Sequence, residues 1–195
     1  MIEILSQLNW NRTSRNTEIS VGEVDSVGKV FFKRSSLINA NNINLHINSF
    51  EILNSITKKI DGADSPLVIK ELCNKNIIAL EFISESSFHD LWKDKDYLDS
   101  KILSDVNSLF FWLNAFHNST IEDKNDNPLC YVDFGPKNLI PLSKKSAMFI
   151  DPPIEFTRKK AYFDFGTLVF EIERSMIQTS RFNLLFKIRS IAKNG

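Results

Sequence analysis

Cysteine and histidine are scarce in this 195-residue chain, and neither sign of charge dominates it. Its two cysteines, Cys73 and Cys130, stand apart, with no metal-ligand spacing around them. That argues against a disulfide scaffold and suits reduced thiols in a cytoplasmic compartment. Lys+Arg and Asp+Glu number 24 each, for a formal net charge of zero. A nucleic-acid protein driven by global charge is therefore not expected, although a local basic groove stays open. The longest strongly apolar patch, around residues 109–116, is too short to span a bilayer. The opening Met-Ile-Glu-Ile-Leu lacks a basic n-region and a long apolar run, so no signal peptide is read there. Neither a repeat nor a low-complexity tract is present. A peripheral membrane contact through the basic C-terminal segment stays open.

What remains is ordinary for a globular chain, with 43% hydrophobic and 25% charged residues. Sixteen phenylalanines point to an aromatic-rich core. Residues 18–24 and 29–34 are β-prone runs joined through Asp25-Ser26-Val27-Gly28, which predicts a hairpin. Residues 35–48 are polar and Asn-rich and read as a loop. Phe50, Leu53, Ile56 and Ile60 have helical spacing, with Asn48 as N-cap and Asp61-Gly62 as the stop. Strands are predicted over 67–72 and 77–83, and a short helix from Phe88. The clearest helix covers 99–117, with Ile102, Val106, Leu109, Leu113 and Phe116 on one stripe. Short strands follow around 130–132, 138–140 and 147–151, and one or two helices over 162–191. The pattern is α+β in two parts, 1–83 and 84–195, not an alternating βαβ order.

The chemistry concentrates in Tyr131-Val132-Asp133-Phe134-Gly135-Pro136-Lys137-Asn138-Leu139-Ile140. Asp133 and Asn138 stand five positions apart between apolar strands, and Asp151 ends the strand Met148-Phe149-Ile150, thirteen residues after Asn138. Two carboxylates and an amide at loop mouths can surround a hard cation such as Mg²⁺, which takes oxygen ligands and shares them with phosphates.

This segment resembles the catalytic loop and metal-binding strand of the protein-kinase-like superfamily, Asp-x4-Asn followed by an Asp at the usual spacing. It looks most like the small-molecule branch, the aminoglycoside phosphotransferases and lipopolysaccharide core sugar kinases. The resemblance implies a two-lobed α+β fold. The N-terminal lobe would be a small antiparallel sheet with one helix, and the C-terminal lobe short and mostly helical. It also implies roles. Lys33, ending Val30-Phe31-Phe32-Lys33, would hold the α/β-phosphates of ATP, with Glu51 as its ion-pair partner. Glu81 and Ile83 would lie on the hinge strand facing adenine. Asp133 would orient the acceptor hydroxyl and take its proton, and Asn138 and Asp151 would bind Mg²⁺. Asp164-Phe165-Gly166 spells the kinase metal motif literally. It lies 26 residues after Asn138, so the metal role goes to Asp151.

Three departures stand out. The stretch Asn11-Arg12-Thr13-Ser14-Arg15-Asn16, where a glycine-rich loop should fall, has no glycine. Side chains such as Ser14 would have to contact phosphate there. Tyr131 stands where His is usual, and Asp151-Pro152-Pro153 replaces the usual triplet. No activation segment is recognisable. Each residue taken alone also has a plainer reading. Glu51 could complete a capping box with Asn48, Lys33 could be a solvated strand-end lysine, and the aspartates could be turn formers. Their order along the chain argues for the site. The expected function is ATP-dependent transfer of a phosphoryl group to a small-molecule or sugar hydroxyl. The alternatives are a catalytically inactive kinase-like binding domain and an unrelated α+β protein in which Lys33 and Asp151 lie far apart.

Overall fold

A computed structural model describes residues 7–13, 16–39, 41–123, 125–143 and 146–194. Strands β1 (Asn11–Arg12), β2 (Thr17–Val24) and β3 (Gly28–Ser35) open the chain. The β2–β3 turn closes as predicted, with Gly28 at φ 86°, a conformation that glycine adopts without steric cost. Alternation along β3 sends Val30 and Phe32 to one face, with Val24, Ile77 and Ala79. Phe31 goes to the other face and packs beside Phe50, Ile78 and Leu80. The period of two then places Lys33 on the same face as Phe31.

Helix α1 (Ile43–Thr57) begins six residues before the expected Ser49. Much of the Asn-rich stretch read as loop is helical. Ile43, His46, Phe50 and Leu53 form a continuous buried stripe, and Asn44 and Asn48 lie on the solvent side. Asn48 is therefore inside the helix and caps nothing. The Asn42 side chain instead accepts from the Asn39 amide at 2.6 Å, closing the turn before the helix. After β4 (Ala63–Asp64) the strand expected over 67–72 is reduced to one bridge, Val68 to Leu80, and a 3₁₀ turn at Lys70–Leu72. Strand β5 (Ile77–Glu81) pairs antiparallel with β3, giving a four-stranded sheet in the order β1-β2-β3-β5.

The rest is mostly helical. It comprises α2 (Phe88–Lys93), α3 (Asp99–Thr120), α4 (Tyr162–Gln178) and α5 (Leu185–Asn194). Between α3 and α4 lie β6 (Leu129–Cys130), β7 (Leu139–Ser143), β8 (Ser146–Phe149) and β9 (Thr157–Arg158). β4 pairs parallel with β8, so the chain leaving α1 is stitched to the β7–β8 hairpin and the two parts are joined. The aromatic core lies under that hairpin, where Trp92, Phe116, Tyr131, Phe134 and Phe149 are fully buried. Burying such side chains stabilises by about 1.5–3 kcal/mol each before entropy is counted. Among the described residues no helix is long and apolar enough to cross a membrane.

Candidate active site

The loop from Tyr131 to Asn138 is held from beneath by Asp164, the residue to which the sequence reading gave no metal role. Asp164, in the first turn of α4, is 1% exposed. Its carboxylate accepts from the backbone amides of Tyr131 at 2.7 Å and Val132 at 2.9 Å, and from His117 Nε2 at 2.9 Å. Turning two successive amides to one carboxylate bends the backbone, and Val132 takes φ 66°. That conformation costs a β-branched residue about 1–3 kcal/mol. The charge-assisted bonds to Asp164 offset it. Asp164 is thus the anchor of the loop, a role its sequence position did not reveal. Tyr131, in the place where His is usual, fills the aromatic core. Its hydroxyl donates to the Ile150 carbonyl, the residue before Asp151. Burial pushes its pKa well above the ordinary value, with the charges of Asp151 and Asp133 adding to that.

Asp133 and Asn138 come together across the loop. The Asn138 amide donates to the Asp133 carbonyl at 2.7 Å, which leaves its oxygen available as a hard ligand. The Asn138 carbonyl accepts from Ile150 N at 3.0 Å, tying the loop to the strand that presents Asp151. Asp151 itself sits at φ 57° and forms an ion pair with Lys33 across 118 residues of sequence. The reading in which these two lie far apart is therefore overturned.

Two cavities meet at these residues. One, of about 330 Å³, has an apolar lining from Ile19, Phe31, Phe50, Leu80, Ile83 and Ile140, with Lys33, Glu81, Glu85, Asp90, Asn138 and Asp151 among its polar groups. The Glu81 amide is already bonded to the Leu67 carbonyl at 2.9 Å. The other cavity, of about 490 Å³, is polar and is lined by Asp133, Lys137, Glu171, Arg174, Ser175 and His89 among others. Thr13, Thr17, Lys137, Asn138 and Asp151 line both.

Several residues here carried no sequence signal. Lys137 Nζ lies 3.3 Å from Asp133 and 3.7 Å from Glu171, and Arg174 is 3.3 Å from Glu171. Gly135 lets α4 approach, since a Cβ there would stand 2.9 Å from Glu171 Cβ. His89 contacts the Ser175 hydroxyl at 3.0 Å, and burial, then the charge of Lys93, lowers its pKa.

One expectation is corrected. Glu51 does not pair with Lys33. It points to solvent and pairs with Lys70, on a separate groove with Asn44 and Cys73. The inner stripe of α1 runs through His46, Ser49, Phe50 and Leu53, which leaves position 51 on the outer side. Ser14 lies outside the described residues.

No family model matches the chain, and no curated protein matches it. Solved structures do. The PknI kinase domain of Mycobacterium tuberculosis superposes with a TM-score of 0.50 at 12% identity, over 84% of this chain and 68% of that one. A cysteine-to-alanine variant of that domain gives 0.52 at 13% identity, over 84% and 70%. With its antiparallel N-terminal sheet and helical C-terminal part, the chain has a protein-kinase-like α+β fold.

Proposed function

We propose that the chain is an ATP-dependent phosphotransferase whose acceptor is a hydroxyl of a small polar molecule, such as a sugar or glycolipid. The observation that carries this reading is the convergence of Lys33, Asp133, Asn138 and Asp151 where an apolar and a polar cavity meet. The apolar cavity suits an adenine ring, and Lys33 stands where the phosphates would lie. Asn138 and Asp151 offer one amide and one carboxylate oxygen to a cation, which fits Mg²⁺. Bound Mg²⁺ would supply charge neutralisation on the phosphates. Asp133, on the polar side, orients the acceptor hydroxyl and takes its proton. Lys137, 3.3 Å away, holds that carboxylate in place. Transfer of this kind relies on positioning and electrostatics, so these groups suffice.

A small-molecule acceptor is favoured by the second cavity. It offers both donors and acceptors, with Lys137, Glu171 and Arg174 in linked ion pairs, which suits a polyhydroxylated ligand. The deciding experiment is a thermal-shift titration with ATP and Mg²⁺ on the wild type and Asp151→Ala. Ligand that binds the native state raises Tm with concentration. A Mg²⁺-dependent rise abolished in Asp151→Ala supports the site, and no rise at millimolar ATP sinks it.

Two observations favour a second reading, a non-catalytic kinase-like binding domain. Lys33 and Asp151 neutralise each other, and the segment before β2 has no glycine. The two readings part on turnover. ATP hydrolysis or transfer that Asp133→Asn removes while ATP binding persists belongs only to the enzyme.

A further inference from the structure

Lys33 is 14% exposed at its side chain and its ion-pair partner is Asp151. The phosphotransferase reading asks more of Asp151, because the same carboxylate must turn to the metal. A nearly buried ammonium that loses its acceptor is costly. The fold must supply another acceptor, and Glu51 is on the wrong side of α1.

The inner side of α1 presents His46 instead. His46 is 2% exposed, and neither of its ring nitrogens has a hydrogen-bond partner. Buried polar atoms without partners are uncommon and call for an explanation. The ring packs edge-on against Phe50, with centroids 5.4 Å apart, which fixes its plane. His46, Lys33, Asp151 and Asp133 all line one small cavity of about 160 Å³. Burial foremost, then the Lys33 charge, lowers the His46 pKa to about 4, so the imidazole is neutral at pH 7. A neutral imidazole has one nitrogen able to accept from an ammonium.

We propose that His46 is a positioning residue for Lys33, a neutral acceptor that takes over the ammonium when Asp151 turns to the cation. This rests on the phosphotransferase reading for its purpose, though not for its test. It also has an electrostatic consequence. A lysine held by imidazole keeps its full positive charge toward the phosphates, whereas a glutamate partner would cancel much of it.

The test uses the full chain labelled with ¹⁵N at its three histidines. The His46 ring signals are assigned by their loss in His46→Gln. Asp151→Ala removes the competing acceptor, and the acceptor nitrogen of His46 should then move upfield as it gains a hydrogen bond. The same change made together with Lys33→Met should produce no such move. A His46 spectrum that is indifferent to Asp151→Ala overturns the inference, as does a move that survives Lys33→Met. With Mg²⁺ and ATP, His46→Leu should weaken binding by about tenfold, and His46→Gln, which keeps an acceptor, should restore most of it. Tight wild-type binding that is unchanged in His46→Leu refutes the inference and leaves the phosphotransferase reading standing. Wild-type protein that takes up no Mg·ATP removes that reading, and the ring-nitrogen experiment still decides the role of His46.

Discussion

Asp164 and Asp151 invite comparison because each follows aromatic or apolar residues, each borders the same loop, and each lies near a buried histidine on a preceding helix. Their surroundings are opposite. Asp164 is 1% exposed and accepts from two backbone amides and from His117. Asp151 is 40% exposed at its side chain and holds one cation, while His46 behind it has no partner. A carboxylate with all its bonds made to the frame is fixed and has nothing left for a ligand. A carboxylate with one exchangeable partner at a cavity can change partners. The literal kinase triplet sits on the first kind and the proposed metal ligand on the second.

The comparison breaks most visibly if Asp164 is removed. Asp164→Ala leaves two backbone donors and His117 buried without an acceptor and releases the strained turn at Val132. We expect a loss of about 3–5 kcal/mol of unfolding free energy in urea, with Asp164→Asn milder. A loss below about 1 kcal/mol would mean that the loop is held some other way.

The two histidines sharpen the contrast next. The unfolded chain protonates His46 at its ordinary value near 6.5, whereas the native state resists until about 4. The unfolded state therefore binds more protons in that window, so stability is full above pH 6.5 and falls as the pH drops toward 4. The loss should reach about 3 kcal/mol, at about 1.4 kcal/mol per pH unit. The difference between wild type and His46→Gln in urea unfolding at pH 7 and pH 4.5 isolates it from the carboxylates. Lys33 and Asp151, which face the ring, oppose each other in this shift. Parallel pH profiles for the two proteins would contradict the burial of a neutral imidazole.

How much of this was legible in the sequence follows from which forces act locally. The β2–β3 hairpin and α3 were read nearly to the residue, because a glycine turn and a long apolar stripe declare themselves within a few positions. The start of α1 was missed because the asparagines at 41, 42, 44 and 48 hid a buried stripe that begins at Ile43. The Lys33–Asp151 meeting was anticipated from order and spacing along the chain. The outward turn of Glu51 was not, since the helical phase depends on where the helix begins. His46 carried no signal at all. A lone histidine in a polar stretch acquires meaning only when tertiary packing buries it at the cavity that Lys33 also lines. Lys137 and Glu171 were invisible for the same reason, since their contact spans the loop and α4.

Smaller effects test the other side of the comparison. Asp151→Ala should change unfolding free energy by less than about 1 kcal/mol, because Asp151 is partly exposed and His46 takes over the ammonium it leaves. It should nonetheless abolish Mg²⁺-dependent nucleotide binding. A large destabilisation would place Asp151 with Asp164 in the frame and dissolve the contrast.

Glu51→Ala should do least of all. Glu51 and Lys70 meet at the surface, each about half exposed, where solvent and salt screen the pair and side-chain entropy opposes it. The urea midpoint should stay within experimental scatter. ATP affinity should be unchanged, since the groove that Glu51 lines holds neither Lys33 nor Asp151. A kinase-like site in which this glutamate held the lysine would instead lose nucleotide binding sharply. Binding measured by titration calorimetry on Glu51→Ala and His46→Leu side by side therefore asks which residue of α1 the lysine answers to. Loss in the glutamate variant alone would mean that α1 turns in solution to bring Glu51 inward. Loss in the histidine variant alone would mean that the helical phase seen here is the working one.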